Sequence, residues 1–167
     1  GELKRVINSL LQNIDSFSKQ NILIAATNHP ELLDKAIWRR FNTVIEIGLP
    51  QEEEIVTLIK TFTSDFSTEF NTDDKRLDRL SKQFAGKSPS DIKTIINNAK
   101  AQTVINDRDT LHYEDVLIEL FEFNHRGNLT IEKLVEYLYE NGVPQNTIAE
   151  RMNVSIRQIR NYLNKQS

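Results

Sequence analysis

The hydrophobic pattern of this 167-residue chain changes after Pro50, and that change limits the folds available to it. Beyond Pro50, apolar residues recur every three or four positions, which is the spacing of one face of an α-helix. Ser88-Pro89-Ser90-Asp91 adds a helix start, with a serine cap, a proline in the first turn and an acid three residues after the cap. The pattern therefore predicts four amphipathic helices between 50 and 124, with apolar faces formed by Ile55, Ile59 and Phe62, by Leu77, Leu80 and Phe84, by Ile92, Ile95 and Ile96, and by Val116, Leu117 and Leu120.

The first 49 residues follow a different pattern. Apolar residues at helical spacing predict a helix over about 2–17, and 31–38 predicts a second, short helix. Two short apolar runs with polar flanks, 22–26 and 43–47, are typical of strands buried on both faces. The order strand, helix, strand predicts part of a parallel α/β sheet. No apolar run approaches the ~20 residues of a membrane span, and no signal-peptide pattern begins the chain, so we expect a cytoplasmic protein without a membrane partner.

Composition excludes several classes of protein. The chain contains no Cys, which rules out disulfide scaffolds, thiol nucleophiles and cysteine-based zinc sites. Its three histidines, His29, His112 and His125, show no metal-site spacing, so we expect no metal centre. The net charge of −3 is unevenly distributed: residues 50–125 hold nine basic and fifteen acidic side chains, whereas 126–167 hold six and four. An acidic middle therefore precedes a basic tail.

Gly86-Lys87-Ser88 resembles the end of a phosphate-binding loop but does not complete one. The loop pattern requires a glycine five positions earlier, where the chain has Ser81, and it must follow a buried strand. The preceding segment is an amphipathic helix, and Pro89 removes an amide donor. We do not expect this segment to bind phosphate in that way.

A sharper signal lies between the two predicted strands. Asn28 follows the first strand, and a polar side chain at a strand tip points into the crevice where α/β sheets bind ligands. Arg39 and Arg40 are adjacent, and their guanidinium groups suit an anionic ligand in this subunit or a neighbouring one. On chemistry alone, the alternative is equally good: Asn28 as a turn residue and the arginines as solvated helix ends.

The tail begins after a polar, glycine-containing break at 124–128. Its pattern predicts one helix that ends before Gly142 and two shorter helices over about 145–152 and 156–164. Ala149, Asn153 and Ile159 have the spacing of a helix-turn-helix, in which Asn153 takes the left-handed turn. Ser155 and Gln158 form a capping box for the last helix.

The last helix of the tail is predicted to present a basic outer face. Ile156, Ile159 and Leu163 are expected to point inwards, and Arg151 is expected to lie against a phosphate. Residues 130–164 resemble the three-helix helix-turn-helix family, which implies a recognition helix for the DNA major groove. The alternative is a small helical domain that contacts proteins, with the arginines as a solvated face. The predicted DNA-binding residues are Arg151, Arg157, Gln158, Arg160, Asn161 and Lys165.

Three ordered segments resemble the second half of an AAA+ ATPase module. They are Asn21-Ile-Leu-Ile-Ala-Ala-Thr-Asn-His-Pro-Glu-Leu-Leu-Asp-Lys-Ala-Ile-Trp-Arg-Arg-Phe41, then Ile45-Glu-Ile-Gly-Leu-Pro50, and Gly86-x-Ser88-x-x-Asp91-Ile92, which is similar to the signature of the helical lid. Gly1–Leu11 is similar to the helix before them. The resemblance covers about residues 1–122.

The resemblance implies roles for individual residues. Asn28 matches the sensor-1 residue that orients the attacking water, and Arg39 and Arg40 match the arginines supplied in trans to the neighbouring subunit's nucleotide. Many relatives separate these arginines by Pro-Gly, so the identity of the finger stays open. The implied nucleotide-binding residues of the lid are Gly86, Ser88, Pro89 and Ser90, the last standing where some relatives carry a sensor-2 arginine.

The chain contains neither a Walker A loop nor a Walker B strand, which precede these motifs in the family. We therefore expect the C-terminal piece of a longer ATPase that uses ATP and Mg²⁺, whereas the piece itself binds neither and does not hydrolyse ATP. Because the Walker A strand lies between the two strands predicted here, residues 1–48 are expected to re-pair, swap or pack abnormally.

The sequence thus predicts a mainly α protein with a small α/β part: the end of an AAA+ core with two strands (1–49), a four-helix lid (50–124) and a three-helix helix-turn-helix domain (125–167). The parent is expected to form a homo-oligomeric ring, a hexamer, that couples ATP hydrolysis to remodelling of an unknown protein or nucleoprotein target, with DNA as a partner. The alternative is a DNA-binding or protein-binding adaptor with a non-catalytic ATPase-like core.

Overall fold

The protein is described here from a computed structural model. The described residues are 2–16, 21–125, 127 and 129–164, with side chains from residue 5 onwards. The chain divides into two compact units, Gly1–Ile47 and Gly48–Ser167. No helix among the described residues is long and apolar enough to cross a membrane.

The first unit contains helix α1 (Glu2–Ser16), a 3-10 turn (Pro30–Leu32) and helix α2 (Lys35–Trp38). The predicted helix over 31–38 is interrupted because Asp34 caps α2, its carboxylate accepting the Ala36 N–H at 2.7 Å. Because Asp34 caps the start of α2, this helix is separate from the 3-10 turn that precedes it.

The two strands predicted over 22–26 and 43–47 do not form, so this part of the fold prediction is wrong. Both segments are without regular structure, and Ile22, Ile24, Ile45 and Ile47 are 79–92% exposed. A strand persists only where its N–H and C=O groups pair with a neighbour, and the described residues of this unit provide none. The expectation that residues 1–48 re-pair, swap or pack abnormally stays a prediction.

The second unit is helical, as predicted. Four bundle helices come first: α3 (Glu52–Phe62), α4 (Asp74–Gln83), α5 (Pro89–Ile105) and α6 (Tyr113–Asn124). Strands β1 (Ser67–Thr68) and β2 (Thr110–Leu111) pair in parallel, with Ser67 opposite Thr110. Strands of two residues leave no periodic signal, so the sequence pattern does not predict them.

Three tail helices follow: α7 (Ile131–Glu140), α8 (Gln145–Met152) and α9 (Ile156–Asn164). Their bounds agree with the predicted helices. The bundle and tail share one hydrophobic core, in which α6 residues such as Leu117 and Leu120 belong to the same buried cluster as Val135, Leu138 and Ile148. Both the bundle and the tail lie within the second unit, Gly48–Ser167.

Candidate functional sites

The two adjacent arginines of the first unit have different surroundings. Arg40 donates from Nε and Nη2 to the two carboxylate oxygens of Asp15, at 2.7 and 2.8 Å, and from Nη1 to the Ala36 carbonyl at 2.8 Å. Hydrogen bonds from Arg40 hold the pKa of Asp15 below its ordinary value. All three donor groups of the Arg40 guanidinium are therefore engaged within its own unit.

Arg39, by contrast, is exposed at the end of α2. Its backbone N–H is bonded to carbonyls of the helix, and its guanidinium has no hydrogen bond or ion pair with any described residue. It is the arginine of the pair that is free to contact an anion.

Asn28 is exposed and lies in an irregular segment, so it does not stand at the tip of a strand. The neighbouring Thr27 hydroxyl accepts the His29 N–H at 3.0 Å. The first unit thus contains an exposed amide at Asn28 and a free guanidinium at Arg39, but not the sheet edge expected to position Asn28.

The turn between α4 and α5 contains the predicted lid residues. Gly86 has a φ of +80°, a conformation that L side chains rarely adopt. Ser88 caps α5: its hydroxyl accepts the Asp91 N–H at 3.1 Å and donates to the Asp91 carboxylate at 2.7 Å. Pro89 occupies the first turn and Ser90 is exposed. The predicted capping box is confirmed, and it engages the Ser88 hydroxyl.

The α8–α9 turn has the predicted backbone geometry. Asn153 is left-handed, with φ 51° and ψ 45°, and Ala149 and Ile159 are buried beside it. Ser155 and Gln158 form the predicted capping box, in which the Ser155 N–H donates to Gln158 Oε1 at 2.9 Å and the Gln158 N–H donates to the Ser155 hydroxyl at 3.2 Å.

The outer face of α9 is exposed along its length. Arg157, Arg160 and Asn161 are exposed, and neither arginine has an ion pair among the described residues. Ile156, expected to point inwards, is 39% exposed, because it begins the helix beside the turn. Gln158 is exposed but engaged as a cap, and Lys165 lies outside the described residues.

Arg151 does not lie on this outer face. Its Nη2 and Nε donate to the carboxylate of Glu114, on α6, at 2.9 and 3.1 Å, and its Nε lies 3.6 Å from Asp115. Both acids are buried, with relative exposures of 7% and 6%. The local sequence pattern does not indicate this contact, because 37 residues separate its partners. The expected position of Arg151 against a phosphate is corrected: its guanidinium is directed into the protein.

One grouping of acidic and histidine side chains occurs among the described residues, formed by Glu69, His112 and Glu114. Glu69 pairs with Arg76, and Glu114 pairs with Arg151. Since each carboxylate already has a cationic partner, this grouping does not have the free negative charge that a divalent cation needs.

Comparisons with known proteins match the first unit to a family of ATPases. The family model for AAA proteins (ATPase family associated with various cellular activities) matches residues 1–49. A proteasome-activating nucleotidase of Methanothermobacter thermautotrophicus is 32% identical over 146 residues, which are 85% of this chain and 34% of the relative. An ATP-dependent zinc metalloprotease FtsH of Hahella chejuensis is 31% identical over 118 residues, 68% of this chain and 19% of the relative.

The chain thus spans about a third or less of the length of these relatives. A solved structure of a RuvB mutant of Thermotoga maritima aligns over 88% of this chain and 52% of its own, with a TM-score of 0.51 and 19% identity, which is a likeness of fold. The family match and the relatives together support an AAA+ ATPase.

Proposed function

We propose that this chain is part of an AAA+ ATPase in which residues 1–49 end the nucleotide-binding core, α3–α6 form the lid and α7–α9 form a helix-turn-helix DNA-binding domain. The whole protein would couple ATP hydrolysis in a ring-shaped homo-oligomer, a hexamer, to remodelling of a protein or nucleoprotein target. The observation that carries this proposal is the free guanidinium of Arg39 inside the segment that matches the AAA family.

The described residues fit one part of a nucleotide site. The exposed, unpaired Arg39 suits a phosphate. The grouping of Glu69, His112 and Glu114 lies in the second unit, and its two carboxylates are already paired with arginines. We therefore expect the rest of the ATPase to hold ATP and Mg²⁺, and the present chain to bind neither alone. Bound ATP would supply the phosphoryl group that is transferred to water.

Within that site, we assign Arg39 as the arginine that acts in trans and Arg40 as its support. Arg39 would neutralise charge that develops on the transferred phosphoryl group of the neighbouring subunit, an effect worth roughly 1,000-fold or more in rate. Arg40 is held by Asp15, so it fixes α2 against α1 and thereby orients Arg39. Asn28 would orient the attacking water, and Gly86, Ser88, Pro89 and Ser90 would form the lid's approach to the nucleotide.

The test is ATP turnover by the full-length ATPase with Arg39→Ala, Arg40→Ala or Asp15→Ala. Arg39→Ala should abolish turnover while leaving nucleotide binding intact. Arg40→Ala and Asp15→Ala should each cause a smaller loss, because both release the contact between Arg40 and Asp15. Subunits with Arg39→Ala should also lower the turnover of native subunits when the two are mixed. Unchanged turnover in Arg39→Ala would overturn the assignment and favour the adaptor function.

The DNA-binding proposal is supported by the outer face of α9. Arg157, Arg160 and Asn161 are exposed on one helix, whereas Arg151 is engaged by Glu114 and is left out of this surface. Guanidinium and amide groups are suited to phosphate and base-edge contacts in a major groove. Lys165, which lies outside the described residues, stays a proposed DNA contact. Gln158 is also a proposed DNA contact, at the edge of this face.

The charge of this face limits how tightly one copy binds. Two arginines that neutralise two phosphates would give a slope of about −2 for log affinity against log salt concentration. Such weak single-copy binding would be strengthened by several tails in one ring.

Fluorescence anisotropy with duplex DNA over a salt series tests this surface. The variant carrying both Arg157→Ala and Arg160→Ala should lose binding, whereas Lys133→Ala, which removes an exposed cation of α7, should bind like the native chain. Absence of binding by the native chain at low salt would overturn the DNA proposal and favour a protein partner for the tail.

A further inference from the structure

The first turn of α6 holds the tail through consecutive side chains. The Tyr113 hydroxyl donates to the Asn141 carbonyl, at the end of α7, at 3.0 Å. Glu114 accepts two hydrogen bonds from Arg151 on α8, and Asp115 lies 3.6 Å from the same guanidinium. One helical turn of the bundle therefore makes polar contacts with two of the three tail helices.

The carboxylates of this turn are supported from both sides. Asp115 accepts two hydrogen bonds from Arg108, at 2.7 and 2.9 Å, and caps the His112 N–H at 3.0 Å. Among the described residues, Arg151 is the one cationic side chain that forms an ion pair with Glu114. Because Glu114 is buried, removal of Arg151 would leave its carboxylate without an ion-pair partner, which is strongly unfavourable.

A second contact fixes the turn between α7 and α8. Arg79, on α4, donates to the same Asn141 carbonyl at 2.9 Å, and Gly142 follows with a φ of +81°. The buried apolar residues Val135 and Leu138 of α7 belong to the same hydrophobic cluster as the bundle residues. Apolar packing has little directional preference. Hydrogen bonds do depend on direction, so those to Asn141 and Glu114 restrict the orientation of the tail.

Helix α9 packs on α7 and α8, and the face that bears Arg157, Arg160 and Asn161 stays exposed. We infer that Arg151 is a positioning residue, which locks the tail to the first turn of α6 so that the bundle and the DNA-binding face of α9 form one rigid body. This inference rests on the proposed function of α9. A duplex bound to α9 would then be held at a fixed angle to α3–α6, and any movement of the bundle would be transmitted to the DNA.

Residual dipolar couplings of backbone amides, measured on the whole chain in an aligned medium, test the inference. In the native chain, couplings from α3–α6 and from α7–α9 should fit a single alignment tensor. In Arg151→Met, which keeps an unbranched side chain but removes the charge, α7–α9 should change orientation about the remaining contacts at Asn141 and in the shared core, so the two groups of helices should need different tensors. Separate tensors in the native chain, or a single tensor in Arg151→Met, would overturn the inference.

A double variant separates the lost contact from the effect of a lone buried charge. Glu114→Gln with Arg151→Met removes both charges, so it relieves the unpaired carboxylate without restoring the contact. If Arg151 acts by orienting the tail, the double variant should also need two tensors. A single tensor in the double variant would mean that the buried charge, and not the missing contact, released the tail, which would overturn the inference.

The matched control is Arg157→Met, the same substitution at an exposed arginine of α9. It should keep a single tensor but weaken binding to a short duplex by about tenfold or more. Arg151→Met should bind that duplex within about twofold of the native affinity, since its guanidinium does not face the DNA. An equal loss in both variants would make Arg151 a DNA contact and overturn its positioning role. If the native chain binds no duplex, the DNA proposal fails, and the tensors still decide whether Arg151 locks the tail.

Discussion

Arg40 and Asp15, 25 residues apart in the sequence, form a two-pronged ion pair that ties α2 to α1. The pair leaves Arg39 as the unengaged member of the two adjacent arginines. Two side chains of the same type and in neighbouring positions thereby acquire different roles, one structural and one available to a ligand.

The Asp15–Arg40 pair should be visible in the titration of Asp15. Hydrogen bonds from Arg40 hold the pKa of Asp15 below its ordinary value of 3.8, so the stabilisation is complete above that pH and is lost as the pH falls through the lowered pKa. The midpoint of Asp15, followed by carboxyl NMR shifts, should lie below 3.8 and rise to that value in Arg40→Ala. Arg39→Ala, the neighbouring control, should leave it in place. A native midpoint at the ordinary value would contradict the ion pair.

Asn153 should tolerate glycine better than alanine. Its φ of 51° is costly for a residue with an ordinary Cβ, by about 1–2 kcal/mol, whereas glycine adopts it freely. In denaturant unfolding, Asn153→Ala should lower the free energy of unfolding by about 1 kcal/mol, and Asn153→Gly should change it by less than about 0.5 kcal/mol. Equal losses in the two variants would show that the Asn153 side chain, and not its backbone, stabilises the turn.

Substitution of Gly86 by alanine would strain only the backbone, whereas the same substitution at Gly142 would also place the new Cβ against a neighbouring side chain. Both have φ near +80°, but a Cβ on Gly142 would lie 1.7 Å from Arg79 Nη1, whereas a Cβ on Gly86 meets nothing within 4 Å. Gly142→Ala would therefore displace Arg79 from the Asn141 carbonyl as well as strain the backbone. Thermal unfolding should show a loss of about 2–3 kcal/mol for Gly142→Ala and about 1 kcal/mol for Gly86→Ala. Similar losses would mean that Arg79 contributes little to holding the tail.

Tyr113 and Tyr137, whose hydroxyl groups are both buried, should respond in opposite directions to removal of the hydroxyl. The Tyr137 hydroxyl is buried without a hydrogen-bond partner among the described residues, whereas the Tyr113 hydroxyl donates to Asn141. Tyr137→Phe should raise the free energy of unfolding by about 1 kcal/mol, and Tyr113→Phe should lower it by about 1 kcal/mol. A loss in Tyr137→Phe as large as that in Tyr113→Phe would reveal a partner for the Tyr137 hydroxyl, such as a buried water.

Glu119 should destabilise the bundle at neutral pH. Burial, together with the charges of Glu122 and Asp115, raises the pKa of Glu119 above its ordinary value of 4.5. A raised carboxyl pKa means that the favourable contribution exists below 4.5 and is lost as the pH rises through the raised value.

Glu119→Gln should therefore raise the free energy of unfolding at pH 7 by about 0.5 kcal/mol, the scale of like-charge pairs on a helix. The gain should disappear in acid, where the native side chain is already neutral. Glu122→Gln, at an exposed position, is the control and should give a smaller change. A gain that persists in acid would mean that charge is not its cause.

The helices could be predicted because their signals are local. A 3.6-residue period with a capping box at Ser88 and another at Ser155 sets the start of α5 and α9, and the structure confirms both. The strands over 22–26 and 43–47 could not be decided in the same way. An apolar run suits a buried strand, but a strand also needs a partner, which the run itself does not specify.

The sequence by itself thus determined the bundle and tail helices, the left-handed turn at Asn153 and the basic side chains of α9, because each depends on residues a few positions apart. Tertiary structure alone decided which arginines are free. Arg40 is engaged by Asp15 and Arg151 by Glu114, whereas Arg39 and Arg157 stay exposed. The availability of a charged side chain depends on which distant carboxylate the fold brings within hydrogen-bonding distance, and the local sequence around an arginine does not contain that information.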